Sequence, residues 1–137
     1  MSNTKKTKSS FEIDSFQREI IKNSFDTIAD DMAITLMRTA YSGIVRDSLD
    51  FSTAICDPEG LTLAQGVCTP MHMGSFFDAM KTLLKQYNGS IFKNDIFIFN
   101  DPFAASGQHL PDIYIAMPIY YKNKISAWAV TIAHHSD

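Results

Sequence analysis

The sequence predicts an α+β fold, a long N-terminal helix and a second helix packed on a mainly antiparallel sheet. Three observations carry this expectation. Apolar residues between about Ser15 and Tyr41 recur at helical spacing. From "DFSTAIC" onward the chain breaks into short apolar runs separated by turn residues, the pattern of hairpins. Between those runs "GSFFDAMKTLLKQYNG" returns to the helical period.

Each element can be justified in order. Residues 1–10, "MSNTKKTKSS", are polar and basic with no apolar run behind them, and read as a disordered basic tail rather than a leader. Asp14 and Gln17 are spaced for a capping box that opens the long helix. Its stripe of Phe16, Ile20, Ile28, Met32 and Leu36, flanked by Ile21, Phe25, Ala29, Ala33 and Met37, is expected to face the sheet. Ser42-Gly43 breaks the pattern. "FSTAIC" and "LTLAQ" flank "DPEG", a type I turn with Pro58 in second position, hence a hairpin. In the second helix Phe76, Phe77, Met80, Leu83, Leu84 and Tyr87 form a broad apolar face, and Gly89 sits past its end. "DIFIFN" reads as a short strand. "DIYIAMPIYY" and "ISAWAVTIAHH" read as two strands joined by "KNK", a three-residue loop centred on Asn123 that sets Asp112 opposite His134. Pro118 cannot donate to a ladder, so a bulge or an edge there could shift the register and bring in His135 instead. The apolar run "ISAWAVTIAHHSD" stops without a polar taper, so residues 11–137 are expected to be the N-terminal part of a larger domain, truncated at its C-terminus.

Composition narrows the function classes. With 137 residues, 45% of them hydrophobic, the chain can build one ordinary core. Twelve basic against 15 acidic residues give no electrostatic ground for nucleic acid or an anionic membrane as partner. No apolar run approaches the roughly 20 residues of a membrane helix. Cys56 and Cys68 are too few for a disulfide framework and read as small buried hydrophobes, which makes a reducing cytoplasm the expected location. There is no glycine-rich phosphate loop and no nucleophile elbow, so nucleotide binding and Ser-His-Asp hydrolysis are unsupported.

The last 38 residues hold three of the four histidines, His109, His134 and His135, beside Asp101, Asp112 and Asp137. A lone histidine is more often a hydrogen-bonded structural residue than a ligand. These are not alone: His109 and Asp112 are three apart where a loop enters a strand, and His134 follows 25 residues after His109 on the next strand. Two imidazoles and one carboxylate are a ligand set for Zn²⁺, Mn²⁺ or Fe²⁺ that leaves coordination positions open, although a short H-x-x-D pattern also arises by chance. Asp101, between Asn100 and Pro102, reads on local grounds as the start of a turn. Arg46, Asp47 and Asp50 read as a solvated cluster or a salt-bridged support. His72 in "PMHMGS" reads as packing at a helix start.

Taken together, "DFSTAICDPEGLTLAQG", "PMHMGS", "NDPFAASGQHLPDIYIAMPIYY" and "AWAVTIAHHSD" resemble the N-terminal part of the hydantoinase B/oxoprolinase family, from about Phe11 to Asp137. The resemblance implies one subunit of an ATP-dependent enzyme that opens cyclic amides such as hydantoins or 5-oxoproline, with ATP handled by a hydantoinase A-type partner in a hetero-oligomer. Relatives that carboxylate ketones make an acetone-type carboxylase the alternative, and an inactive interaction fragment a third. The metal ligands it implies are His109, Asp112 and His134. His135 and Asp137 belong to the same motif as substrate-facing or supporting groups, and Asp101 is a third candidate catalytic residue.

Overall fold

A computed structural model describes residues 13–67, 69, 72, 74–104 and 109–135. The elements run α1 (Ser15–Thr39), α2 (Gly43–Arg46), β1 (Phe51–Cys56), β2 (Thr62–Gln65), α3 (Ser75–Gln86), β3 (Phe97–Phe99), β4 (Asp112–Tyr121) and β5 (Lys124–His134). The five strands form one antiparallel sheet in the order β2-β1-β5-β4-β3, with α1 on one face and α3 on the other, so the α+β expectation holds. The expected tail at residues 1–10, Cys68 and Asp137 lie outside the described residues.

The capping box forms: Asp14 Oδ1 accepts from the Gln17 amide at 2.7 Å and Gln17 Oε1 from the Asp14 amide at 3.3 Å. The stripe expected to cover the sheet does not. Phe16, Ile20 and Ile28 are exposed, and the residues of α1 that bury fully are Ala29 and Ala33. Phe25, Met32, Leu36 and Met37 pack at their flanks. The reason is close approach. A Cβ placed on Gly66, just past β2, would lie 2.4 Å from the Ala29 carbonyl oxygen, and Thr53 Oγ1 donates to that same oxygen at 2.8 Å. A helix this near a sheet admits alanine at its contact line and pushes bulky residues aside.

On the opposite face α3 lays Phe76, Ala79, Met80 and Leu83 over Ala54 and Cys56 of β1, Trp128, Val130 and Ile132 of β5, and Tyr114 and Ala116 of β4. The β1–β2 hairpin turns as expected at "DPEG": the Gly60 amide donates to Asp57 O at 3.0 Å, and Asp57 Oδ1 accepts from Glu59 and Leu61. Gly60 sits at φ +88°, with its missing side chain directed at Met80. Gly89, expected at the C′ position, sits at φ +77° two residues past the Tyr87 cap of α3, one position later than expected. The "DIFIFN" strand shrinks to Phe97–Phe99.

The β4–β5 hairpin corrects the expected loop. Only Lys122 and Asn123 turn, both at positive φ (47° and 62°), a two-residue type I′-like turn rather than three residues centred on Asn123. A bulge between Ile119 and Tyr120 then shifts the pairing back by one, so from Ile119↔Ala127 to Asp112↔His134 the register is the expected one. Ser126, the unpaired residue of the bulge, is exposed instead of sharing the inner face. Pro118 pairs with Trp128, where β3 has already ended opposite Ala116 and β4 has a strand neighbour on one side only.

Candidate metal centre

Asp112 is the first residue of β4 and His134 the last of β5, and they pair directly across the ladder. Both therefore point to the α3 face with Tyr114 and Ile132. A turn brings in His109: the Asp112 amide donates to His109 O at 3.1 Å, folding the histidine back over its own strand. The Asn100 side-chain amide donates to Leu110 O at 2.9 Å, and the His135 amide to Pro111 O at 3.0 Å, tying the turn to the ends of β3 and β5.

The result is a close group of three side chains. His109 Nε2 lies 3.5 Å from Asp112 Oδ1, and the His109 and His134 rings meet edge to face with centroids 4.7 Å apart. Donors bound tetrahedrally at 2.0–2.2 Å around one ion are about 3.4 Å from each other, so the first distance is compatible with two ligands of one ion. His134 Nδ1 is buried with no hydrogen-bond partner among the described residues, and Asp112 is 1% exposed. A buried imidazole nitrogen without a partner beside a buried carboxylate is a donor set that fits a divalent cation. As they stand, no group of three such side chains among the described residues surrounds a single point, and the His109 side chain is 53% exposed.

The other expected site residues divide. Asp101 is exposed, and its Oδ1 accepts from the Phe103 amide at 2.8 Å and the Ala104 amide at 3.1 Å, the turn role read on local grounds. Among the described residues no hydrogen bond or ion pair joins it to the trio. His135 is exposed, its ring centroid 6.4 Å from that of His134. Arg46 and Asp47 pair on the surface at 2.9 Å, which holds the Asp47 carboxyl below its ordinary range.

Sequence reasoning missed the floor of this group. His72 is buried, with Nδ1 3.1 Å from Ser52 Oγ and Nε2 3.8 Å from Asp50 Oδ1 and 3.9 Å from Asp112 Oδ1. The available signal was Ser52, a polar residue that alternates with Ala54 and Cys56 on an inward strand face. At the far end of β1, Cys56 is free and buried, and loss of solvent pushes its thiol up to about 11.

Residues 14–137 match the model of the hydantoinase B/oxoprolinase family. The chain belongs to that family. An uncharacterised protein of Methanocaldococcus jannaschii is 41% identical over 128 residues, covering 91% of this chain and 23% of the relative. The crystal structure of an ATP-dependent caprolactamase from Pseudomonas jessenii superposes with a TM-score of 0.80 at 27% identity, covering 91% of this chain and 21% of that one. A nucleotide-free acetone carboxylase superposes with a TM-score of 0.75 at 21% identity, over 87% of this chain and 16% of that one, and shares the fold. This family member thus spans less than a quarter of the length of the proteins it matches. No helix among its described residues is long and apolar enough to cross a membrane.

Proposed function

We propose that this hydantoinase B-type chain is the metal-holding part of an ATP-dependent hydrolase of cyclic amides, working in the cytoplasm with a hydantoinase A-type subunit that handles ATP. The observation that carries the reading is the Asp112–His134 pair across β4 and β5, with His109 Nε2 3.5 Å from Asp112 Oδ1. Family membership and the caprolactamase likeness favour a cyclic amide over a ketone, because the ketone-carboxylating neighbour supports the fold alone.

His109, Asp112 and His134 would hold Zn²⁺, Mn²⁺ or Fe²⁺. Such an ion would supply Lewis acidity toward a ring carbonyl. The chain's own groups account for the rest. Asp112 brings a buried charge that a cation offsets, and the strand pairing fixes it against His134. His109, on its exposed turn, is the side from which a substrate reaches the site. His135, on the rim, and Asp137 are assigned to contact the substrate or support the ligands, with Asp101 retained as a third candidate.

The test uses the protein co-purified with its A-type partner and offered hydantoin, 5-oxoproline and caprolactam. ATP-dependent ring opening without bicarbonate is expected, and bicarbonate-dependent consumption of acetone would replace this reading with ketone carboxylation. His134→Ala should lower metal content and ATP-coupled turnover together. If His135→Ala strips the metal while His134→Ala keeps it, the two histidines exchange roles.

A further inference from the structure

Beneath the proposed ligands lies a buried polar layer that their chemistry does not use. Ser52 and His72 are 1% and 2% exposed and come from segments 20 residues apart, yet Ser52 Oγ and His72 Nδ1 meet at 3.1 Å. The far edge of the ring faces two carboxylates, Asp50 Oδ1 at 3.8 Å and Asp112 Oδ1 at 3.9 Å. We propose that His72 is a positioning residue: anchored by Ser52 through Nδ1, it presents Nε2–H to Asp112 and Asp50 and so fixes how the Asp112 carboxylate faces His109 and His134.

The argument is one of tautomer and burial. Two carboxylate oxygens within 4 Å of Nε2 favour a hydrogen on that nitrogen, because a bare lone pair there would meet negative charge. In the neutral ring Nδ1 is then the acceptor, and the group beside it is a hydroxyl that can donate. Ser52 Oγ also lies 3.1 Å from the Thr69 carbonyl, to which the hydroxyl can donate, so its single hydrogen is shared between Thr69 O and His72 Nδ1. Neither Nε2 distance is a hydrogen bond as it stands; at 3.8 and 3.9 Å the contact is the attraction of an N–H dipole toward two neighbouring carboxylates, of which Asp112 is buried. The register adds the lever. Asp50 precedes β1, and its carbonyl accepts from the His134 amide at 3.1 Å, so the ring faces Asp112 directly and is linked to His134 through Asp50.

This inference rests on the metal-holding reading of His109, Asp112 and His134, and the experiment separates the two. The probe is Mn²⁺ alone, titrated into the metal-stripped protein and followed by the electron paramagnetic resonance of the free ion, with thermal unfolding recorded for every variant. Asparagine places its amide near Nδ1, and glutamine places its amide near Nε2. His72→Asn is therefore expected to weaken Mn²⁺ binding roughly 10- to 100-fold, His72→Gln to restore it to within about threefold of wild type, and Ser52→Ala to fall between them. Equal losses in the asparagine and glutamine variants would mark a space-filling role and overturn the proposal. So would unchanged Mn²⁺ affinity in His72→Asn and Ser52→Ala while His134→Ala abolishes binding, an outcome that leaves the metal reading standing. Should His72→Asn not fold, Ser52→Ala decides alone, since it removes a single hydroxyl. Failure of the wild type to bind Mn²⁺, or indifference to His134→Ala, overturns the metal reading and this inference with it.

Discussion

The two faces of the sheet are built from alternate residues of the same strands, yet they are closed very differently. Under α3, a helix of 12 residues, the sheet buries Trp128, Val130, Ile132, Tyr114 and Ala116 completely and ends in the polar group around Asp112. Under α1, with 25 residues, it buries Phe51, Ile55, Ala64 and Ala127, while Ile115, Met117 and Ile119 of β4 stay 38–41% exposed. Helix length therefore says little about coverage. What matters is which side chains meet: α3 offers large ones that fill space across four strands, whereas α1 approaches on alanines over β1 and β2, meets β5 at Ala127, Ala129 and Ala133, and leaves much of β4 exposed. The site lies on the closed face, where a carboxylate and an imidazole can be held without water competing for them.

Paired methionines give the sharpest way to break that comparison. Met80 of α3 is fully buried and Met32 of α1 only partly. Met80→Ala should cost about 2 to 5 kcal/mol, and Met32→Ala about 1 to 2 kcal/mol, in chemical denaturation. Equal costs would mean that α1 seals its face as tightly as α3 does.

A pH scan reads the same closed face without a mutation. The Cys56 thiol, on the α3 side of β1, is pushed from 9.0 to about 11 by burial. Between those values the unfolded chain has released a proton that the folded chain keeps, so stability falls as pH rises from about 9 to 11. The loss should be about 2 to 3 kcal/mol, and Cys56→Ala or Cys56→Ser should remove that slope whatever its own baseline cost. A slope unchanged in both variants would show that another group titrates there.

Much of this arrangement was legible in the residues, and the exceptions have physical causes. The capping box, the "DPEG" hairpin and α3 were readable because each depends on neighbours within a few positions. The Asp112–His134 pairing was expected through a three-residue loop that does not exist. Lys122 and Asn123 adopt the two-residue turn without the usual glycine, and the Ile119/Tyr120 bulge restores the register. Pattern alone could not tell bulky stripe from contact line on α1, because the deciding fact is the closeness of Gly66 and Thr53 to Ala29. His72 was invisible as part of the site for the same reason: its partners Ser52 and Asp112 lie 20 and 40 positions away.

The smallest expected effect belongs to the open part of the α1 face. Ile115 in the middle of β4 pairs with Thr131 of β5 and is 41% exposed, so Ile115→Thr keeps a β-branched residue and sets threonine against threonine. Removing partly exposed apolar area on a face no described element covers should change stability by no more than about 0.5 kcal/mol. The same exchange at Ile132, on the closed face of the neighbouring strand, buries a hydroxyl among Trp128, Val130 and Tyr114 and should cost several times more. Thermal unfolding at two protein concentrations checks the first value and its origin together. A cost above about 2 kcal/mol that grows with concentration would show that a second copy covers Ile115, because association adds stability by mass action and a monomer's midpoint does not move. A midpoint independent of concentration, with Ile115→Thr nearly neutral, leaves the two faces as unequal as their side chains make them.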